Sequence, residues 1–450
     1  MGKLLRVLAL GTLLAGMLSG CSIPRLTLNS EDLYSLPTLP AEYTELNAQL
    51  NAILEGGAEY AAPTSGANIQ AVQLVDLDGD GQEEAVAFFR NAGEEKPLKI
   101  YIFTATEDSY VQTDLIEGSG TGIYSVAYTD LEGDGRAELL VGWMATAELR
   151  VLEIYTLYPG GAELLVSSDY VKYTTVDLDQ DQRQELVVFH ADAEGDGIAD
   201  YYSWQADGSF ASQSSARLSV TMAELNQQGR VTQGTLQGDI PALFVTGVTE
   251  TARAVTDILA VRSGELANIV LSDLTGVSGE IAPFASLYPT DLNNDGITEV
   301  PAPREIYALD TEVGPSFQWV DWYAYDGAGR SQLAQQTYHN VEDRWYLRLP
   351  ETWMDRIWIS RTTSADEATV TFSRLEEGRA EPFLRITAIT GANRETRAAR
   401  SSRFLLSRQS EVIYTGELLE ANNTWYYGMT ADEVRAAFSL ITPEWSTGDY

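Results

Sequence analysis

Soft metal ligands are nearly absent from this chain: one cysteine, Cys21, and two histidines, His190 and His339, in 450 residues. A single cysteine excludes a disulfide within the chain. Cations are also scarce, with 29 Lys and Arg against 66 Asp and Glu and a formal net charge of −37. Such a surface repels nucleic acid and anionic membranes and attracts cations. Beyond the first twenty residues, no apolar run reaches the ~18 residues of a membrane-spanning helix. G-x-S-x-G, Walker and H-E-x-x-H motifs are missing, which removes the sequence signatures of several hydrolases and nucleotide-binding enzymes. Neither histidine lies near a plausible nucleophile, and each reads as a surface or satisfied residue. Carboxylate pairs of the kind a glycosidase needs arise by chance among so many acids and carry no weight.

The N-terminus is an address. Lys3 and Arg6 precede an apolar run from Val7 to Leu18, and Leu18-Ser19-Gly20-Cys21 follows. The run is too short to span a bilayer comfortably. It resembles a bacterial lipoprotein signal, in which the cysteine is lipidated and becomes the first mature residue. Residues 1–20 are therefore expected to be a signal peptide and Cys21 the lipidation site. Residues 21–39, rich in Ser, Pro and Leu, read as a tether. The expected location is outside the cytoplasm, lipid-anchored to the bacterial cell membrane. Residues 40–57 predict a short helix, with Tyr43, Leu46, Leu50 and Ile53 at helical spacing and Gly56-Gly57 ending it.

From about residue 68 the texture turns to short apolar runs, frequent glycine and many Tyr, Val and Thr, which is β texture. An acidic nonapeptide recurs within it: DLDGDGQEE from Asp76, DLEGDGRAE from Asp130, DLDQDQRQE from Asp177 and DLNNDGITE from Asp291. Each lies between two runs of strand character. The starts are 54, 47 and 114 residues apart, and the last gap accommodates a degenerate copy at 235–247 that keeps Gly238-Asp239. Five units of roughly fifty residues in a β texture predict radial repetition as in a propeller. The fold class expected is thus mainly β: a propeller of about five blades, each of about four antiparallel strands, over residues 68–338, followed by a small α+β domain over 341–450. In that last region, Thr430-Ala-Asp-Glu433 is a capping box opening a helix.

The nonapeptide has the chemistry of a cation loop. Its first copy places Asp76, Asp78 and Asp80 at positions 1, 3 and 5, Gly81 at 6, Gln82 at 7 and Glu84 at 9. Alternate carboxylates converge when the chain curls, and a glycine permits the curl because it tolerates positive φ. With the position-7 carbonyl they make an oxygen-only cage suited to calcium. Zinc is disfavoured because the loops hold no His or Cys. The equivalent candidate ligands are Asp130, Glu132, Asp134, Arg136 and Glu138 in the second loop; Asp177, Asp179, Asp181, Arg183 and Glu185 in the third; and Asp291, Asn293, Asp295, Ile297 and Glu299 in the fourth. An EF-hand is excluded. It needs a bidentate Glu at position 12, where these loops carry Ala87, Val141, Val188 and Ala302. Another acidic match, Asp192 to Asp200, is out of phase with the repeat and reads as either a second metal loop at another turn of the same unit or a Gly-rich hairpin, the hairpin being the expectation.

These loops resemble the FG-GAP/VCBS repeats of integrin alpha-chain-like propellers, whose calcium loops run D-x-D/N-x-D-G-x-x-D. The resemblance implies a propeller with Ca²⁺ held in hairpins on one rim. Departures are the Glu at position 9 throughout, Glu132 and Asn293 at position 3, and Gln182 in place of glycine in the third loop. The function expected is a surface-anchored lipoprotein whose calcium-stabilised propeller is a non-catalytic binding or scaffold module. Its expected partners are calcium, the membrane through its lipid, and a glycan or protein ligand at the cell surface. The alternative is an extracytoplasmic glycan-active or other hydrolase using the propeller's central depression. The aromatic stretch Phe317 to Tyr325 would supply either a sugar-stacking face or core, and core is the expectation.

Overall fold

The computed structural model describes residues 43–106, 109–158, 161–272, 274–278, 281–306, 316–376, 379–400 and 402–441. The expected signal peptide and tether, and Cys21 as the expected lipidation site, lie outside the described residues. The first element is the helix Thr44–Glu55, which ends at Gly56 and Gly57, the latter at φ 94°. Leu46 and Leu50, one turn apart, bury the same helix face against Ala85, Ala87, Phe89 and Phe103 of the first sheet.

Six separate antiparallel sheets follow. The first contains Val72–Val75, Glu84–Arg90, Leu98–Ala105 and Tyr110–Gly118, with the short Glu59–Tyr60 also on Glu84–Arg90. The second runs in chain order through Gly122–Thr129, Glu138–Met144, Arg150–Tyr158 and Gly161–Tyr170. The third does the same with Lys172–Val176, Glu185–Ala191, Gly197–Trp204 and Phe210–Arg217. The fourth holds Arg230–Leu236, Ile240–Val248, Arg253–Arg262 and Glu265–Asn268, with Ile281–Pro283 added to Arg253–Arg262. The fifth holds Glu299–Ile306, Ser316–Tyr325, Ser331–Asn340, Trp345–Leu349 and Phe438–Leu440. The sixth holds Ile357–Thr363, Glu367–Glu376, Arg379–Ile389, Ile413–Leu418 and Phe404–Arg408.

The strands that leave the acidic loops explain why the sheets stack. Glu84–Arg90 is buried at every residue but its last, so both of its faces are covered. A period of two assigns the faces. Val86 and Phe88 pack against Val126, Leu139 and Val141 of the second sheet, while Ala85, Ala87 and Phe89 take the helix. The pattern repeats. Leu140 and Ile154 of the second sheet meet Leu186 and Val188 of the third, and Val187 and Phe189 of the third meet Leu243 and Val245 of the fourth. Phe244 and Ile258 of the fourth then meet Val300 and Tyr325 of the fifth. Each sheet is sandwiched because it cannot bury two apolar faces alone.

Closure is where the structure departs from expectation. A closed ring of five blades followed by an α+β domain was expected, but the described residues form six separate sheets, each open. Among the described residues no ladder of paired strands joins one sheet to the next, only the isolated bridge between Gln237 and Asp326. The C-terminal strand Phe438–Leu440 returns to Trp345–Leu349 of the fifth sheet, not to the first. The β-propeller and the integrin alpha-like architecture are therefore corrected to a tandem array of open sheets. Periodicity dictates that neighbouring units stack. It does not encode pairing between the last unit and the first.

The C-terminal region combines the sixth sheet with the short helices Arg394–Ala398, Glu420–Thr424 and Ala431–Ala437. The last is opened by the Thr430–Glu433 capping box. Trp345–Leu349 and Phe438–Leu440 extend the fifth sheet, so one core runs from Trp319 and Tyr338 to Trp353, Phe372 and Phe383. In the aromatic strand Ser316–Tyr325, Trp319, Trp322 and Tyr325 are all buried. That segment is core on both faces.

Candidate metal centres on the acidic loops

All four acidic loops share one backbone design. Positions 4 and 6 lie in the left-handed region: Gly79 and Gly81 (φ 74° and 87°), Gly133 and Gly135 (76° and 92°), Gln180 and Gln182 (64° and 73°), Asn294 and Gly296 (60° and 87°). The third loop achieves the curl with two glutamines, so the missing glycine does not unmake it. The position-1 aspartate organises the turn by accepting backbone N–H groups. Asp76 accepts from Gly79 at 2.8 Å and Gly81 at 3.0 Å. Asp130 accepts from Gly133 at 2.6 Å and Gly135 at 2.8 Å. Asp177 accepts from Asp181 at 3.2 Å and Gln182 at 3.0 Å, and Asp291 from Asp295 at 3.2 Å and Gly296 at 2.9 Å. The position-5 aspartates Asp80, Asp134, Asp181 and Asp295 each accept from the N–H two residues on, at Gln82, Arg136, Arg183 and Ile297.

The ninth residue begins the outgoing strand in every loop, and its side chain turns back. Glu84, Glu138, Glu185 and Glu299 accept from the backbone N–H of Leu77, Leu131, Leu178 and Leu292 at 2.9, 2.8, 2.7 and 2.9 Å. These glutamates are buried, between 0% and 4% exposed, as are the four leucines. Burial, opposed by the leucine N–H and reinforced by nearby aspartates, pushes Glu138, Glu185 and Glu299 up to about 7. Glu84 is raised for the same first reason. The position-9 acid thus pins the loop to its strand, a role that its sequence position did not reveal.

Two loops bring their acids together. Asp177, Asp179, Asp181 and Glu185 each offer an oxygen, and these lie within 4.8 Å of one another; Asp76, Asp78 and Glu84 do the same. These clusters can coordinate a metal ion. Asp80 is turned aside, its oxygens engaged by the Gln82 N–H at 2.7 Å and side-chain amide at 3.0 Å. Asp130, Glu132, Asp134 and Glu138 of the second loop form no such group among the described residues. In the fourth loop the Asn293 amide donates to Asp295 at 2.9 Å and to Glu299 at 3.3 Å, and so supplies internal compensation. The third loop, furthest from the family pattern, holds the largest cluster.

Successive loops also touch. Ala137 N–H donates to the Leu77 carbonyl at 2.8 Å, and Gln184 N–H to the Leu131 carbonyl at 3.2 Å. The Gln180 amide reaches Asp239 in the degenerate unit at 2.9 Å, and Thr298 N–H bonds the Thr235 carbonyl at 2.8 Å. A Cβ on Gly79 would stand 2.4 Å from the Gly135 carbonyl oxygen. The loops therefore form one hydrogen-bonded seam across five sheets.

Other candidates have structural roles. His190 pairs with Asp200 at 2.8 Å, and Ser215 bonds Asp200 rather than the imidazole, so no nucleophile–base relay forms. His339 is buried between Trp322 and Tyr346. Asp192 accepts from Glu194 and Asp196 in an ordinary hairpin turn. A cavity of about 1580 Å³ is lined by three cations, Arg150, Lys172 and Arg230, and a single acid, Asp291. It lacks the facing carboxylates of a glycosidase. The hydrolase reading, which rested on the central depression of a closed propeller, is corrected with that propeller.

The fold and site thus define a tandem array of open antiparallel sheets with acidic, metal-capable loops on their connecting turns. The FG-GAP-like repeat matches residues 76–141, spanning the first two loops and ending within the strand that leaves the second. One such repeat, within open sheets, replaces the integrin-like propeller expected from four loops. The expected calcium-stabilised propeller module is accordingly corrected to open sheet repeats with general ion-binding capability. No curated protein matches the chain significantly. Among solved structures, Saccharomyces cerevisiae Sqt1 is 9% identical, with 80% of this chain and 100% of that one covered at a TM-score of 0.25. The WD40 domain of SCAP from fission yeast is 9% identical, covering 75% and 70% at 0.26. A putative 6-phosphogluconolactonase from Bacteroides fragilis is 8% identical, covering 70% and 83% at 0.23. Likenesses at those scores carry no argument about this chain.

Proposed function

We propose that the third and first acidic loops are Ca²⁺ sites whose occupancy tightens the seam between consecutive sheets of a protein held outside the cytoplasm by lipid on Cys21. The observation that carries the metal reading is the convergence of four carboxylates in the third loop, with oxygens within 4.8 Å of one another. Like charges that close repel unless a cation neutralises them. The donors are all oxygen, which suits a hard ion, and flexible spacing favours Ca²⁺ over Mg²⁺. Asp177, Asp179, Asp181 and Glu185 would hold it, with the Arg183 carbonyl as a further donor. Asp76, Asp78 and Glu84 would form a second site. Extracytoplasmic calcium fills weak sites of ~10⁻⁴–10⁻³ M, so the placement and the metal support each other.

Thermal melting with calcium and with chelator tests the reading. Calcium is expected to raise the melting temperature of the wild type, and Asp177→Ala with Asp181→Ala to remove most of that gain. Equal gains in both proteins would refute it. For the anchor, Cys21→Ser is expected to abolish incorporation of labelled fatty acid and to release the protein from membranes. Unchanged labelling would refute that part.

A further inference from the structure

We propose that the helix Thr44–Glu55 is a terminal cap, and that the sheet face beneath it is a latent interface for a second copy of this chain. From the first sheet to the fifth, consecutive sheets cover one another's apolar faces. The outer face of the first sheet has no such neighbour among the described residues, and the helix lies there instead.

That face is built like the ones that stack. Ala85, Ala87 and Phe89 of the strand Glu84–Arg90 and Phe103 of its neighbour are fully buried, packed with the helix. Two further rings flank Phe89: Tyr60 stacks on it with centroids 4.8 Å apart, and Tyr101 meets it edge-on at 5.5 Å. The same strand turns Val86 and Phe88 toward Val126 and Val141 of the second sheet. A strand that is apolar on both sides needs a layer on each, and at the end of an array one neighbouring sheet is missing.

The helix has the properties of a substitute. Of its twelve residues only Leu46 and Leu50 are buried, while Ile53 and Leu54 are half-buried. The Gln49 amide adds a hydrogen bond to the Tyr110 carbonyl. Glu45, Asn47, Asn51 and Glu55 are exposed and give the cap the polar outer surface that the end of a repeat array requires. A helix of this length is marginal on its own, and Tyr43 gives its N-terminus no side-chain cap. Its place depends mainly on the two leucines. Without them the chain exposes one apolar sheet face, and the surface that matches it is the same face of another copy. Pairing about a two-fold axis restores the missing layer. The strong negative charge of the chain opposes contact through other surfaces. The inference uses neither the calcium nor the lipid reading.

The test is light scattering during size exclusion of the intact chain carrying Cys21→Ser, so that no lipid joins copies. It is compared with the same chain carrying also Leu46→Asn and Leu50→Asn. The parent is expected to keep the mass of one chain, and the uncapped variant to shift toward twice that mass as concentration rises. A single introduced cysteine reports the face used. Tyr60→Cys, beside Phe89, should link uncapped copies by a disulfide under oxidised glutathione far more than Ser360→Cys, which is exposed on the sixth sheet. Should the uncapped variant lose its cooperative melt, Leu46→Ala with Gln49→Ala loosens the cap more gently and is read in the same way. A folded uncapped variant that stays monomeric at every concentration, equal linkage through the two cysteines, or a doubled mass in the parent would each overturn the proposal. Loss of the cooperative melt in both variants would do so too, because the helix would then be core rather than cap.

Discussion

Glu185→Gln separates two roles that one side chain combines. Glu185 is buried and accepts the Leu178 N–H at 2.7 Å, and its other function is as a fourth carboxylate beside Asp177, Asp179 and Asp181. Glutamine has nearly the same shape. Its carbonyl can keep the Leu178 bond, and its NH₂ can donate toward the aspartates. With Glu185 ionised, in buffer well above the value of about 7 to which burial raises it, oxygens 4.8 Å apart, the upper bound of the cluster, repel by about 3 kcal/mol per pair at an effective dielectric of ~20. The aspartates are partly exposed, so screening leaves on the order of 1 kcal/mol of relief. In chelator the variant should therefore melt at the wild-type temperature or up to ~2 °C above it. With calcium the order reverses. Ligand at a hundred times its Kd stabilises by about 2.7 kcal/mol, and a tenfold weaker site gives up about 1.4 kcal/mol of that. The calcium-induced rise should shrink by about half. Scanning fluorimetry in the two buffers reads both differences. A variant that melts lower in chelator and keeps the full calcium increment would show that Glu185 is a structural acceptor and not a metal ligand.

Three further outcomes follow from the same geometry. Gly79→Ala places a Cβ 2.4 Å from the Gly135 carbonyl oxygen, whereas Gly81→Ala meets nothing within 4 Å, although both have positive φ. Urea titration should therefore find Gly79→Ala the more damaging by at least ~1 kcal/mol, and equal costs would contradict the packed seam. His339 is fully buried and desolvation lowers it to about 3. The unfolded chain binds its proton first, so stability due to this residue is lost as pH falls below the unfolded value near 6.5. The loss is roughly 2 kcal/mol by pH 5. His339→Phe should flatten that part of the melting-temperature profile between pH 7 and 5, and an unchanged slope would place the titration elsewhere. Trp353 is completely buried against Phe372 and Phe383. Trp353→Ala should cost ~3–5 kcal/mol, measured by urea denaturation.

The local design of the loops was legible in sequence because it rests on short-range chemistry. Alternate acids, a curl and an outgoing strand starting at Glu84, Glu138, Glu185 and Glu299 all follow from neighbours in the chain. Three features were not. Left-handed backbone at Gln180 and Gln182 breaks the usual link between positive φ and glycine. The return of the position-9 glutamate to the position-2 N–H depends on burial supplied by the next sheet. The extension of the fifth sheet by Phe438–Leu440 pairs strands almost ninety residues apart, and no local pattern announces such a contact. Openness of the array is the same kind of fact. The contacts of Arg150 with Tyr124 and of Arg230 with Tyr288 were missed because the partners are far apart in the chain.

The most direct test is anomalous diffraction from a crystal of the protein soaked in calcium. A peak is expected among Asp177, Asp179, Asp181 and Glu185, with ligand oxygens at ~2.3–2.6 Å. A third loop without such a peak at saturating calcium, its four carboxylates pointing apart into solvent, would contradict this expectation.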